Sequence, residues 1–160
     1  MTATAAAFPT AAEAAMKHPK LAGVLEYLES LTGRGDLKTQ ERLLQRLLLT
    51  RNDIEDSCVF GQRSYRRNTI ARGKHYELLA LCWRSGHCTP IHDHRGVSCA
   101  FKVIQGTGTE IRFKLSPSGC VCPVETIAMP PGYVCSADDP DIHQVANMQE
   151  PGKDLITLHI

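Results

Sequence analysis

A chain of 160 residues, 42% hydrophobic and 22% charged, has the balance of an ordinary globular domain and enough apolar content for a core. Its net charge of +1 comes from scattered basic residues, which argues against a nucleic-acid or anionic-membrane partner, since either needs a clustered basic face. No apolar run approaches the roughly 18 residues of a membrane span, and seven cysteines with no Cys-x-x-Cys and no secretory signal point to free thiols in a reducing cytoplasm.

Residues 1–9 read as a loose leader, small and poor in anything to bury. Thr10 and Glu13 stand at capping-box spacing and predict a short helix. Pro19 starts a second helix, with Leu21, Val24, Leu25, Leu28 and Leu31 at three- and four-residue intervals, and Gly33 and Gly35 end it. Asp36 is an N-cap for a third helix running to about Leu49, its stripe of Leu37, Leu44, Leu47 and Leu48 packing on the sheet that follows.

After residue 60 the apolar period shortens to two. Strands are predicted at 64–70, 76–83, 91–93, 99–104, 109–115, 121–128, 133–136, 143–147 and 155–160. Turn residues separate them, among them Arg72-Gly73, Gly106-Thr107-Gly108, Pro130-Pro131-Gly132 and Glu150-Pro151-Gly152. Many short strands at this spacing imply a sandwich or small barrel. With no repeat and no composition break, residues 1–160 form one domain: a leader to residue 9, a helical part at 10–50 and a barrel at 60–160.

His92 and His94 stand two apart between apolar runs. On a strand, positions i and i+2 share a face, so both imidazoles converge while Asp93 points away. Two neutral imidazoles on a rigid sheet make two-thirds of a metal site. Cys120 and Cys122 alternate in the same way around Val121 and are read as sharing a strand face, not as ligands.

Around these histidines the pattern is Gly86-x5-His92-x-His94-x4-Cys99-x6-Gly106, followed by Pro130-x-Gly132 and His143-x3-Asn147. It resembles the two cupin motifs, and the resemblance makes His143 the third metal ligand. The common cupin has a glutamate where Cys99 stands, so the ligand set becomes three neutral histidines, which favours an anionic substrate donor such as a thiolate. Imidazole suits Fe, Zn, Cu and Ni alike, and three histidines with water also make a hydrolytic zinc site.

Tyr65-Arg66-Arg67-Asn68, Leu81-Cys82-Trp83, Ile91-His92-Asp93-His94, Ser98-Cys99-Ala100-Phe101-Lys102 and Gly106 together resemble the cysteine dioxygenase family, the thiol dioxygenase branch of the cupins. The resemblance implies a mainly β fold, a small cupin β-barrel (double-stranded β-helix, or jelly roll) with two to three N-terminal α-helices. It implies Fe(II) on His92, His94 and His143, with O2 converting L-cysteine to cysteine sulfinate in cysteine catabolism, in a monomer without nucleic-acid or membrane partners. Arg67 matches the arginine that binds the substrate carboxylate and Tyr65 the tyrosine beside it. Cys99 matches a cysteine that in some members is linked to a tyrosine, and His159 the histidine that hydrogen-bonds that tyrosine. The tyrosine falls two residues past His159, beyond Ile160, so the expectation is that the sequence is cut short, with Tyr65 as the remaining hydroxyl donor. A 3-mercaptopropionate dioxygenase and a non-catalytic metal-binding cupin remain as alternatives. Arg67 favours cysteine over the first, because that branch usually carries glutamine there.

Overall fold

The computed structural model describes residues 8–137 and 141–160. The first seven residues of the predicted leader lie outside this range; Phe8 and Pro9 are docked on the first strand, with the Arg72 guanidinium 3.8 Å from the centre of the Phe8 ring and the Arg72 N–H donating to the Pro9 carbonyl at 3.1 Å. Three short helices follow: α1 (Ala11–Lys17), α2 (Ala22–Glu29) and α3 (Leu37–Arg46). Thr10 caps α1 in the predicted box with Glu13, and Asp36 caps α3 by accepting from the Thr39 N–H at 2.8 Å.

The predicted helix boundaries shift in three places, each with a local cause. Pro19 opens a 3-10 turn, Pro19–Leu21, from which α2 continues. That helix stops at Glu29, short of Gly33 and Gly35. Gly35 serves close packing instead: a Cβ there would stand 2.3 Å from Gln40 Nε2 on α3. The third helix ends at Arg46 and not near Leu49, because Leu47 turns to an extended conformation. Extended chain alternates its side chains, so Leu47 and Leu49 are buried while Leu48, between them, is 83% exposed. A 3-10 segment, Arg51–Ser57, was not predicted; it is opened by a Thr50–Asp53 capping box and buries Ile54 completely.

Among the described residues eight strands then form two antiparallel sheets: β1 (Arg66–Arg72), β2 (Glu77–Trp83), β3 (Cys99–Gln105), β4 (Gly108–Leu115), β5 (Val121–Met129), β6 (Val134–Ala137), β7 (Ile142–Ala146) and β8 (Leu155–His159). The larger sheet has the order β1-β2-β8-β3-β6 and the smaller β5-β4-β7. Gly106, in the tight β3–β4 turn, has φ of +76°, and a Cβ would meet the Asp154 carbonyl at 2.4 Å, so only glycine fits.

The larger sheet is covered on both faces, which is why β2 reads as an unbroken apolar run. Its outer face carries Leu78, Ala80, Cys82, Ala100, Ile156 and Leu158 against the helical leucines. Its inner face carries Leu79, Leu81, Trp83, Phe101, Val103 and Leu155 toward Val145 and Met129 of the smaller sheet. All seven cysteines are free; Cys120, in the β4–β5 turn, and Cys122, on β5, are exposed. No helix among the described residues is long and apolar enough to cross a membrane.

Lys102 ties helix to sheet. It sits on the outer face of β3, only 7% exposed, and its Nζ donates to the carbonyls of Leu44 at 2.8 Å and Leu47 at 2.7 Å. The Leu44 carbonyl, which also accepts the Leu47 N–H at 3.3 Å, lies in the last turn of α3 and the Leu47 carbonyl just past it, where a cation is favoured. Burial lowers the Lys102 pKa, so the ammonium depends on those carbonyls. Replacing Lys102 with Met removes the charged donor from both carbonyls and leaves that of Leu44 only its longer bond from the Leu47 N–H. We expect a loss of about 1.5–3 kcal/mol, the range for hydrogen bonds to a charged group, read as a lower urea midpoint with an unchanged slope.

Candidate metal centre

The segment joining β2 to β3 supplies two histidines and β7 supplies the third. Residues 86–92 run antiparallel beside β7: Gly86 N–H donates to the Asn147 carbonyl at 2.8 Å, Thr89 N–H to that of Val145 at 2.8 Å, and His92 and His143 exchange N–H···O bonds of 3.0 and 2.9 Å. The predicted strand at 91–93 does not form. Pro90 has no N–H to continue a ladder, so pairing shrinks to an isolated rung at His92–His143. Asp93 does turn aside, to Arg95 at 3.1 Å.

That rung places two of the predicted ligand residues directly opposite each other, where antiparallel partners share a face. The ring centroids of His92, His94 and His143 form a near-equilateral triangle with sides of 5.0, 4.7 and 4.9 Å. One nitrogen from each ring lies within 4.8 Å of the others, and the Nε2 atoms of His94 and His143 are 2.9 Å apart. Two imidazole nitrogens held at right angles about 2.1 Å from one ion would stand about 3 Å apart, so this spacing fits a shared metal. The proton positions fit as well. His92 Nδ1 faces the Pro90 carbonyl at 3.0 Å and His143 Nδ1 faces Glu110 Oε1 at 2.7 Å. Both partners can only accept, so each Nδ1 carries the proton and each Nε2 keeps its lone pair.

His94 and His143 are 9% and 3% exposed. Burial, followed by the neighbouring His143 and His92 rings, pushes His94 down to about 4. His94 is therefore neutral at ordinary pH, the form that ligates.

Glu110 is a site neighbour that sequence reading missed. It is 2% exposed on β4 and accepts from Arg112 Nε through its second oxygen at 3.1 Å. Burial pushes its carboxyl up, but the His143 hydrogen bond and the Arg112 charge outweigh that and hold it below the usual range. Glu110, Arg112 and Lys114 look like the solvent face of an amphipathic strand, and alternation alone gives no sign that the first of them turns inward.

The remaining sequence-predicted residues, Tyr65, Arg67, Cys99 and His159, line the same cavity of about 680 Å³ as the three histidines. Strand register accounts for this. Arg67 pairs with Leu81 and Leu81 with Thr157, while Leu79 pairs with His159 and His159 with Phe101. Both rows face inward. The cavity wall is itself tied together: Tyr65 stacks on Trp83 at 4.2 Å, Trp83 Nε1 donates to Thr157 Oγ1 at 3.0 Å, and Thr157 Oγ1 is 2.8 Å from His159 Nε2. The His159 ring stacks on Phe101 at 4.7 Å. Burial, and after it the Arg67 charge, pushes His159 down to about 3. Burial likewise raises the Cys99 thiol to about 11, against a smaller pull from Arg67. Arg67 is 57% exposed at the cavity rim, 3.6 Å from Glu77, which also pairs with Arg72.

The profile of the family described as cysteine dioxygenase type I matches residues 49–159. Cysteine dioxygenase type 1 of Homo sapiens is 40% identical over 55 residues, 34% of this chain and 28% of that protein. The Danio rerio protein of the same name is 29% identical over 101 residues, 61% of this chain and 50% of that one. The aligned part thus spans half or less of the length of these curated relatives. Among solved structures, TT1209 from Thermus thermophilus gives a TM-score of 0.51 at 13% identity, covering 66% of this chain and 90% of that one. A conserved Klebsiella pneumoniae protein with a double-stranded β-helix domain gives 0.50 at 14% identity, covering 66% and 83%. The structural likenesses bear on the fold, a cupin-type double-stranded β-helix with N-terminal helices, and the profile match on ancestry: this chain belongs to the cysteine dioxygenase type I family.

Proposed function

We propose that this chain is a thiol dioxygenase that holds Fe(II) on His92, His94 and His143 and combines L-cysteine with O2 to give cysteine sulfinate. One observation carries the reading. Three imidazoles converge on a cavity whose rim also presents a guanidinium. When bound, the ferrous ion supplies the chemistry by which sulfur and O2 react, and both oxygen atoms end on the sulfur.

The protein groups then divide the work. The Arg67 fork takes the substrate carboxylate, a match of planar donors to planar acceptor. The histidines contribute no negative charge as ligands, so the substrate sulfur supplies the anionic donor. Trp83, stacked on Tyr65 and hydrogen-bonded to Thr157, keeps that wall apolar and fixed, so the bound thiol is oriented without ordering a loop. The Tyr65 hydroxyl is the donor available to oxygen that gains charge. Cys99, held protonated by burial, does not compete as a thiolate.

The direct test is oxygen uptake by the Fe(II)-loaded chain, with sulfinate measured in parallel. We expect one sulfinate per O2 with cysteine, and less turnover with 3-mercaptopropionate or cysteamine. Preference for 3-mercaptopropionate would assign the chain to the other substrate, and no uptake with any thiol would leave a binding module.

Arg67→Ala should lower kcat/KM for cysteine by about 1.5–3 kcal/mol, toward the lower end because the side chain is more than half exposed. Cysteamine, which has no carboxylate, should be used equally by both forms.

Acid should act on the fold through His94 and His159. Above about pH 6.5 both the folded and the unfolded imidazoles are neutral. Below that pH the unfolded chain binds protons that folded His94 refuses down to about 4 and His159 down to about 3. The unfolded state then holds more protons, so stability falls as pH falls. Urea midpoints of the metal-free chain should decline steadily from pH 7 to 5; a flat series would show that these rings are not buried as described.

A further inference from the structure

We propose that Glu110 is a positioning residue for the metal centre: it holds His143 with Nε2 turned inward and returns one negative charge to a cluster otherwise made of neutral rings. The inference rests on the three histidines being metal ligands, as proposed above. A carboxylate 2.7 Å from Nδ1 accepts and cannot donate, so the Nδ1 tautomer of His143 is the one compatible with that contact. Glu110 is 2% exposed, and water does not compete for the bond.

The carboxylate is itself anchored. Arg112 Nε donates to its other oxygen at 3.1 Å, Arg112 reaches Glu125 at 3.4 Å, and the Cys135 thiol lies 3.7 Å from the oxygen that meets His143. His92 has a weaker counterpart: its Nδ1 leans on the uncharged carbonyl of Pro90, at an exposed position. His143, backed by a buried anion, is therefore a stronger donor than His92.

The test uses the full chain and the metal alone. Fe(II) affinity is measured anaerobically by competition with a chelator for the wild type, Glu110→Gln, Glu110→Ala and Arg112→Met, beside urea midpoints of each metal-free form. Glu110→Gln keeps the shape and an accepting oxygen but loses the charge. We expect its Fe(II) affinity to fall about tenfold with the metal-free midpoint little changed, and Glu110→Ala to fall about a hundredfold, the span known for outer partners of metal ligands. Arg112→Met, at a partly exposed residue, should show a smaller loss in the same direction. A residue that matters only for packing would give the reverse pattern, with Glu110→Gln at wild-type affinity and Glu110→Ala simply less stable, and that result overturns the proposal. Failure of the wild type to bind Fe(II) would overturn the metal reading and this inference together, whereas wild-type binding with an unaffected Glu110→Gln would overturn the role of Glu110 alone.

Discussion

A pair of backbone hydrogen bonds, exchanged between His92 and His143, decides whether the histidines meet. His94 and His143 are 49 positions apart in the chain, and side chains alone could not hold such distant residues to a fraction of an ångström. Main chain can. Each bond contributes only about 1 kcal/mol net, but the rung is buttressed on one side by Thr89, whose N–H and hydroxyl both bond Val145. Beyond Thr89 stands Asn147, whose side chain is bonded to the carbonyls of Trp83 and Lys153 and to Gln149. The cost of ordering the loop is thus met by a run of contacts on the rigid edge of β7, and the imidazoles arrive already placed.

Placing three imidazoles together has a consequence of its own. Each protonated ring would repel the other two in a buried space, so the cluster disfavours charge before any metal is considered. The fold thereby stores groups ready to ligate at neutral pH, at the expense of stability in acid. The helical layer on the outer face of the larger sheet works in the opposite sense. It buries leucines and a satisfied lysine and leaves the inner face of that sheet free to carry polar groups.

How far the sequence discloses this depends on whether the deciding interaction is local. The Thr10–Glu13 and Asp36 caps, the turn glycines and most strand centres follow from neighbours within four residues, and the structure has them where the spacing puts them. The His-x-His pair and the later His143 are legible for the same reason, since each lies in a spaced motif. What the sequence hides is set by contacts across the chain. Leu48 fits a helical stripe, but Lys102 takes up the α3 carbonyls and the chain leaves the helix before reaching it. Ile91 fits a strand, but Pro90 cannot extend the ladder and Ile91 is 47% exposed. Glu110 fits a solvent face, and only the register of β4 against β7 turns it inward toward His143.

The cavity and the groups that back its lining come in pairs two residues apart: Tyr65 with Arg67, His92 with His94, Glu110 with Arg112, Thr157 with His159. Three of these stand on or at the start of strands, where that interval returns to the same face. The fourth, His92 and His94, keeps the interval in a loop because the rung fixes its first member. A slip of one residue in any strand would move both members of a pair to the opposite face. A slip of β8 would take Thr157 and His159 together, and with them the hydrogen bond that fixes Trp83 and the stacking on Phe101. Register is held by the apolar residues between the pairs, such as Ile156 and Leu158, each fully buried against the helices. The side chains that lock the strand in place are therefore its alternate members, facing away from the chemistry. The outer core, which touches no ligand, fixes which residues the cavity contains.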